Sequence, residues 1–198
     1  MMHMSDSLQK LFGIPARVKL LRLFLFNPKQ SFTLEDIAER ARIQGKEARR
    51  ELELFSKIKI IKRARKIARS PAPRFVLNGE FEYVQALQAL LLNAPAQGDT
   101  ILERIRHVGN LKLLILSGIF VGEWEGSLDL LVVGDRINER KLRERVHRLE
   151  SEIGKELRYA QLTTQDFFYR LNMNDHLLRD VLDYPHRIVL DRLNIGLK

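Results

Sequence analysis

Two short, almost unbroken apolar runs, Leu111 to Leu116 and Leu128 to Val133, limit what this chain can fold into more than anything else in it. Neighbouring residues of a strand point to opposite faces, so a run that is apolar at nearly every position must be covered on both sides. Each run has the length of a buried strand. The surroundings supply covers. Asn138 to Ile153 places Leu142, Val146, Leu149 and Ile153 at spacings of four, three and four, an amphipathic helix capped by Gly154. Leu157 to Leu162 is expected as a third strand, Thr163 to Asp166 as a cap leading into a helix from Gln165 to Leu171, Asp175 to Leu182 as a short helix and Arg187 to Leu190 as a last strand.

The first half follows a different rhythm. Residues 15–26 carry Val18, Leu21 and Leu25 on one helical stripe flanked by Leu20 and Phe24, with Pro15 suited to a first turn and Asn27-Pro28 as a stop. Thr33 is expected to cap a second helix, with Asp36 three residues on as its reciprocal partner and Leu34, Ile37 and Ala38 facing inward as far as about Arg42. Ile43-Gln44-Gly45 reads as a tight turn. A third helix from Lys46 to about Ser56 buries Ala48, Leu52 and Phe55 and turns Lys46, Arg49, Arg50 and Glu53 outward. The period then changes to alternation in Lys57-Ile58-Lys59-Ile60, which with the β-branched Ile60 and Ile61 predicts a strand, and Arg74 to Leu77 predicts its return. Glu80 to Asn93 is expected as a largely apolar helix bearing Phe81, Val84, Leu87 and Leu91, and residues 94–98 as a linker. The expected fold class is α+β, with domains at 1–78 and 99–198 joined by a helix and linker at 79–98.

Charge separates the halves as well. Residues 1–95 hold 18 Lys/Arg against 9 Asp/Glu, whereas 96–198 hold 16 of each, so the whole net charge of +9 lies in the first half. Residues 57–74 contain eight cations and no acid, interrupted by Ser70-Pro71-Ala72-Pro73. Crowded like charges repel unless a polyanion relieves them, and phosphate binding gains further from released counterions. A membrane surface fits less well, because the basic stretch is no amphipathic helix with a broad aromatic face. The sequence holds no cysteine, which excludes disulfides, thiolate zinc sites and cysteine nucleophiles. No apolar run has the length of a membrane span and no signal peptide is evident, so the expectation is a cytoplasmic protein without a membrane partner.

The order helix, helix, turn, helix, strand, basic loop, strand in the first 77 residues is that of a winged helix-turn-helix, in which one helix enters the major groove and the wing meets the flanking backbone. The residues expected at such an interface with double-stranded DNA are Thr33, Lys46, Arg49, Arg50, Lys57, Lys59, Lys62, Arg63, Arg65, Lys66, Arg69 and Arg74. A solvated basic face on a protein-interaction module is the alternative.

Residues 11–77, from Leu11-Phe12-Gly13 through Arg17-Val18-Lys19-Leu20-Leu21-Arg22-Leu23-Phe24 onward, resemble the N-terminal domain of small prokaryotic winged-helix transcriptional regulators. Residues 109–190 resemble the minimal nucleotidyltransferase domain that some of those regulators carry. In active members of that superfamily a Gly-Ser pair after the first strand binds the triphosphate, and two Asp separated by one residue on the next strand hold the metals. Here Ser117-Gly118 stands in reversed order, and Ser127-Leu128-Asp129 supplies only the second Asp. Where a third carboxylate is often found, the chain offers Leu157-Arg158-Tyr159. A two-metal centre needs several anionic oxygens, so the resemblance implies a degenerate nucleotide site (Ser117, Gly118, Ser127, Asp129), no bound metal, no cofactor and no nucleotidyl transfer. Asp129 is read as a strand-end carboxylate that caps a loop or meets an arginine. The five histidines lack metal-ligand spacing, and Asp166 and Asp175 read as helix-start residues.

These readings converge on a homodimeric DNA-binding regulator, with the helix Phe81–Leu92 as the dimer interface and the second half as scaffold, dimerisation element or sensor of a small-molecule or nucleotide effector. An active nucleotidyltransferase improvising a metal site from Asp129 with Glu123 or Glu125, and an antitoxin-like interaction module, remain as alternatives.

Overall fold

A computed structural model of the chain describes residues 4–64, 72–92, 98–124 and 126–196. It is a mixed α+β protein. In chain order the elements are α1 (Met4–Phe12), α2 (Pro15–Leu25), β1 (Ser31–Phe32), α3 (Leu34–Ala41), α4 (Gly45–Lys57), β2 (Ile61–Arg63), β3 (Phe75–Leu77), α5 (Val84–Leu92) and α6 (Gly98–Ile105). There follow β4 (Asn110–Leu116), a single 3-10 turn at Gly118–Val121, β5 (Leu130–Asp135), α7 (Glu139–Ile153), β6 (Tyr159–Leu162), α8 (Thr164–Asn172), α9 (His176–Leu182) and β7 (Arg187–Asp191). The chain divides into two compact units, one of residues 1–94 with 148–155 and one of residues 95–147 with 156–198. Among the described residues no helix is long and apolar enough to cross a membrane.

In the first unit α2 is the centre. Ala16, Val18, Leu20, Leu21, Leu23, Phe24 and Leu25 are all buried, so the helix is enclosed on nearly every side, as its scarcity of polar residues requires. Phe32, Ile37, Ala41, Ala48, Leu52, Phe55, Ile60, Ile61, Leu77 and Leu91 complete the core around it. The cap of α3 forms as its sequence predicts: Thr33 Oγ1 accepts from the Asp36 amide at 3.1 Å, and the Thr33 amide donates to Asp36 Oδ2 at 2.8 Å. The helix stops with Arg42 in the left-handed region, and the Ile43 amide reaches back to the Ala38 carbonyl. Only Arg42, Ile43 and Gln44 separate α3 from α4.

β1 and β2 flank β3, both antiparallel to it, with Ser31 opposite Val76 and Lys62 opposite Val76 on the other side. The strand expected from Lys57 through Ile61 begins only at Ile61. Lys59 adopts a positive φ of 63°, its amide donates to the Ser56 carbonyl at 3.2 Å, and the Ile60 amide donates to the Phe55 carbonyl at 3.0 Å. This is the stop of α4, and the alternation reflects the exposed Ile58 and buried Ile60 on either side of the left-handed residue. Helix α5 begins at Val84, later than the expected Glu80, because residues 78–83 form turns. Residues 148–155 belong to this unit through a close contact with α2. Asn27, buried, donates through Nδ2 to the carbonyls of Leu23 and Gly154, each at 2.7 Å, and Arg22 Nη1 donates to the Glu152 carbonyl at 2.7 Å. A Cβ on Gly154, whose φ is +80°, would lie 2.6 Å from the backbone of Arg22 and Leu23, so glycine is required there. Burial pushes the Arg22 guanidinium below its ordinary pKa, against the charge of Glu152, which raises it.

The second unit is a mixed sheet in the order β6-β5-β4-β7. β4 is antiparallel to β5 and β7, and β5 is parallel to β6. Leu113 and Ile115 of β4 with Leu131 and Val133 of β5 pack against Phe167 of α8 and Leu178 and Val181 of α9. Their alternates Leu114, Leu116, Leu130 and Val132 are equally inaccessible, which is the two-sided burial that the apolar runs demand. α6 packs against β7. Gly98, expected in the linker, instead opens α6, and the rest of the expected linker lies mostly outside the described residues.

Candidate nucleic-acid interface and a closed carboxylate site

The orientation of α4 is set from inside. Ala48, Glu51, Leu52 and Phe55 form its buried face, and Glu51, with 1% of its side chain exposed, is held by Arg17 of α2: Nε donates to Oε2 at 2.8 Å and Nη2 to Oε1 at 3.3 Å. Arg17 Nη1 also donates to the carbonyl of Phe12 at the end of α1, so one guanidinium ties three helices together. An arginine fork matches a carboxylate in plane and direction, which fixes rotation about the helix axis better than apolar contacts do.

The opposite face of α4 then presents Lys46, Arg49, Arg50, Glu53 and Lys57, all exposed, at spacings of three, one, three and four. These spacings fall on one stripe of a helix. None of the four cations has a hydrogen bond or ion pair with another residue among the described ones. Lys59 is exposed in the turn that follows, and Lys62 and Arg63 are exposed on β2. The Ala64 amide continues the β2–β3 hairpin by donating to the Arg74 carbonyl at 2.9 Å. Arg65, Lys66 and Arg69 of the expected wing lie outside the described residues.

Two residues expected at the interface have structural duties. Thr33 caps α3. Arg74 is half-buried: its Nε donates to Ser31 Oγ at 3.0 Å, its Nη2 donates to the Ser31 carbonyl, and Nη2 lies 3.3 Å from Asp36 Oδ2. It joins β1 and β3 to the start of α3, so a cation expected at the DNA interface is engaged within the fold.

In the second unit Ser117, Gly118 and Asp129 come together, while Ser127 is exposed on the connecting loop. Asp129 is fully buried and its carboxylate is saturated. Oδ1 accepts from the Ile119 amide at 3.0 Å and Arg158 Nη2 at 2.8 Å; Oδ2 accepts from the Arg158 amide at 2.8 Å and its Nε at 3.0 Å. Arg158 donates further to the carbonyls of Gly126 and Trp124, so it clamps the whole loop between the 3-10 turn and β5. The side-chain hydrogen bonding that Arg158 donates to Asp129, and the negative charge of that carboxylate, raise the pKa of Arg158 despite partial burial. Ser117 Oγ donates to the Leu128 carbonyl at 2.8 Å. A Cβ on Gly118, at φ +51°, would collide with Asp129 Oδ1 and stand 2.7 Å from the Leu128 carbonyl, leaving no cradle for a phosphate or metal there.

All four lone-pair directions of Asp129 are thus occupied by N–H donors, and a guanidinium stands where a divalent cation would need to bind. These residues do not fit a two-metal centre. Among the described residues no group of three or more His, Asp or Glu is placed to hold a metal ion. Asp166 and Asp175 serve helix starts: Thr163 Oγ1 accepts from the Asp166 amide at 3.0 Å, and Asp175 Oδ1 accepts from the Leu177 amide at 3.1 Å. Sequence reading named the kind of partner Asp129 would have but not Arg158, and it missed Glu51, whose inward position follows from the helical register of Ala48, Leu52 and Phe55.

Compared with known proteins, the chain matches no family model, no curated protein and no solved structure.

Proposed function

We propose that the chain is a cytoplasmic, sequence-specific DNA-binding regulator that acts as a homodimer and has no catalytic activity of its own. The single observation that carries this reading is the exposed stripe of Lys46, Arg49, Arg50 and Lys57 on α4, cationic and without partners among the described residues, opposite a face locked by Glu51 and Arg17. Unpaired guanidinium groups on a rigid helix suit bidentate contact with guanine edges and with phosphates. The order of α2, β1, α3, a three-residue turn, α4, β2 and β3 supports a winged helix-turn-helix, with α4 as the recognition helix and Lys62 and Arg63 leading into the wing.

The homodimer reading rests on α5. Phe81, Val84, Leu87 and Leu91 pack against the core of the first unit, and Gln88 Nε2 donates to the Leu25 carbonyl at 2.8 Å. The other side of the segment exposes Tyr83, Ala86, Ala89 and Leu90, and the sequence from Tyr83 to Gly98 carries no charge. In a chain of net charge +9 this is a stretch where a second copy approaches without like-charge repulsion. Two-fold pairing would place two α4 helices on successive major-groove half-sites. The second unit is read as a degenerate nucleotidyltransferase-like domain serving as scaffold or effector sensor, since Asp129 is engaged by Arg158 rather than open to a metal.

The test is selection of bound duplexes from a random pool at several salt concentrations. A recovered palindrome with half-sites about one helical turn apart is expected. Arg49→Ala with Arg50→Ala should weaken binding to it by roughly 30-fold or more and relax the preference, while Lys62→Ala should weaken all duplexes alike and reduce the salt slope by about one. Recovery that shows no preferred sequence and vanishes with salt would replace this reading by non-specific nucleic-acid binding.

A further inference from the structure

One anion lies among the cations of α4. The helix has three carboxylates, and two are accounted for. Glu51 is buried against Arg17, and Glu47 is half-buried in the first turn, where the helix dipole favours an acid. Glu53 is exposed on the cationic stripe itself, four residues after Arg49, three after Arg50 and four before Lys57. Those are the spacings at which helical ion pairs form, yet Glu53 has no ion pair or hydrogen bond among the described residues. Among the described residues its carboxylate holds no other side chain in place.

We propose that Glu53 is a specificity-determining residue: its carboxylate accepts a hydrogen bond from the exocyclic amino group of a cytosine in the major groove, and repels the phosphate backbone wherever that base is missing. The inference rests on the DNA-binding reading and deepens it. A surface meant only to hold phosphates gains nothing from an exposed acid in its middle, because that acid subtracts from the attraction every duplex feels. A surface that reads bases can use it. Cytosine presents a lone donor in the major groove, and a carboxylate has only acceptors, so the two match while the acceptor edge of guanine is refused. The cations supply affinity for any duplex, and Glu53 withdraws part of it from the wrong ones, which is how specificity arises from a difference of affinities.

Glu53→Gln and Glu53→Ala, both at an exposed helical position, test this with the full chain. Affinities are measured for the duplex that the unaltered protein selects and for a scrambled duplex of the same length, across a salt series. Both variants should bind the scrambled duplex roughly three- to tenfold more tightly, and the ratio of selected to scrambled affinity should fall by about tenfold. Repeating the selection with Glu53→Ala should lose a cytosine from each half-site. An unchanged ratio and an unchanged selected sequence overturn the role of Glu53 while leaving DNA recognition standing. A protein that selects no duplex before any substitution brings down both readings together.

Discussion

Each unit of this protein sets an arginine against a buried carboxylate, and the two pairs have opposite consequences. Glu51 on the buried face of α4 and Arg17 of α2 hold the helix so that four cations on its far face have no partner among the described residues. Asp129 and Arg158 sit at the start of β5, and every acceptor position of the carboxylate is filled. The difference teaches where function is to be sought. A buried ion pair adds little net stability over a well-packed apolar pair of the same shape, but it specifies one arrangement and makes others costly. In the first unit that arrangement leaves a charged surface free. In the second it leaves no acceptor of the carboxylate free.

Breaking the first pair should have the largest effect on stability. Arg17→Ala leaves the almost fully buried carboxylate of Glu51 without its cation, and about 3–5 kcal/mol of stability should be lost from the first unit. Urea denaturation followed by far-UV circular dichroism would measure it. A loss below about 1 kcal/mol would mean that apolar packing alone orients α4, and the contrast between the two pairs would lose its basis.

Breaking the second pair should cost less. Arg158→Ala strips Asp129 of two of its four donors and leaves the two backbone amides, and the Arg158 side chain is 38% exposed, so water screens part of the interaction. A loss near 3 kcal/mol, the lower end for a broken buried pair, is expected in the same denaturation experiment. Adding millimolar magnesium should restore none of it, because a single carboxylate with two amides still bound cannot chelate a hard cation. Recovery of stability with magnesium would show that Arg158 stands in for a metal that the site can still hold.

The elements that carry these pairs differed in how plainly the sequence announced them. The two-sided burial of β4 and β5 was legible from Leu113 to Leu116 and Leu130 to Val133, since apolar runs this short have the length of strands rather than helices and need cover on both faces. The cap of α3 was legible because Thr33 and Asp36 form a local, reciprocal pattern. β1 has only two residues and α6 only eight, too few to display a period against which chance can be judged. Lys57 to Ile60 imitated a strand because a left-handed helix stop also alternates exposed and buried side chains. At the candidate sites, the outward residues of α4 followed from helical register. The partners of Asp129 and Arg74 did not, because contacts between residues 29 and 43 positions apart depend on tertiary placement, and a side chain's sign says nothing about whether it is already engaged.

The smallest effect on stability is the one that separates the regions most sharply. Arg49 and Arg50 are exposed and have no partner among the described residues, so replacing both by Ala removes no described contact, and alanine suits a helix interior at least as well. Stability should change by no more than about 0.5 kcal/mol, with relief of repulsion among Lys46, Arg49, Arg50 and Lys57 offsetting any loss. Removing an arginine that holds the fold together, such as Arg74, cannot behave this way, because Ser31 and Asp36 would lose their partner. The same double variant should lose most of its duplex affinity. Stability retained and binding lost is what a surface reserved for a partner yields. If denaturation instead shows a loss of 2 kcal/mol or more, well beyond the range of surface substitutions, Arg49 and Arg50 belong to the fold and α4 has no free face.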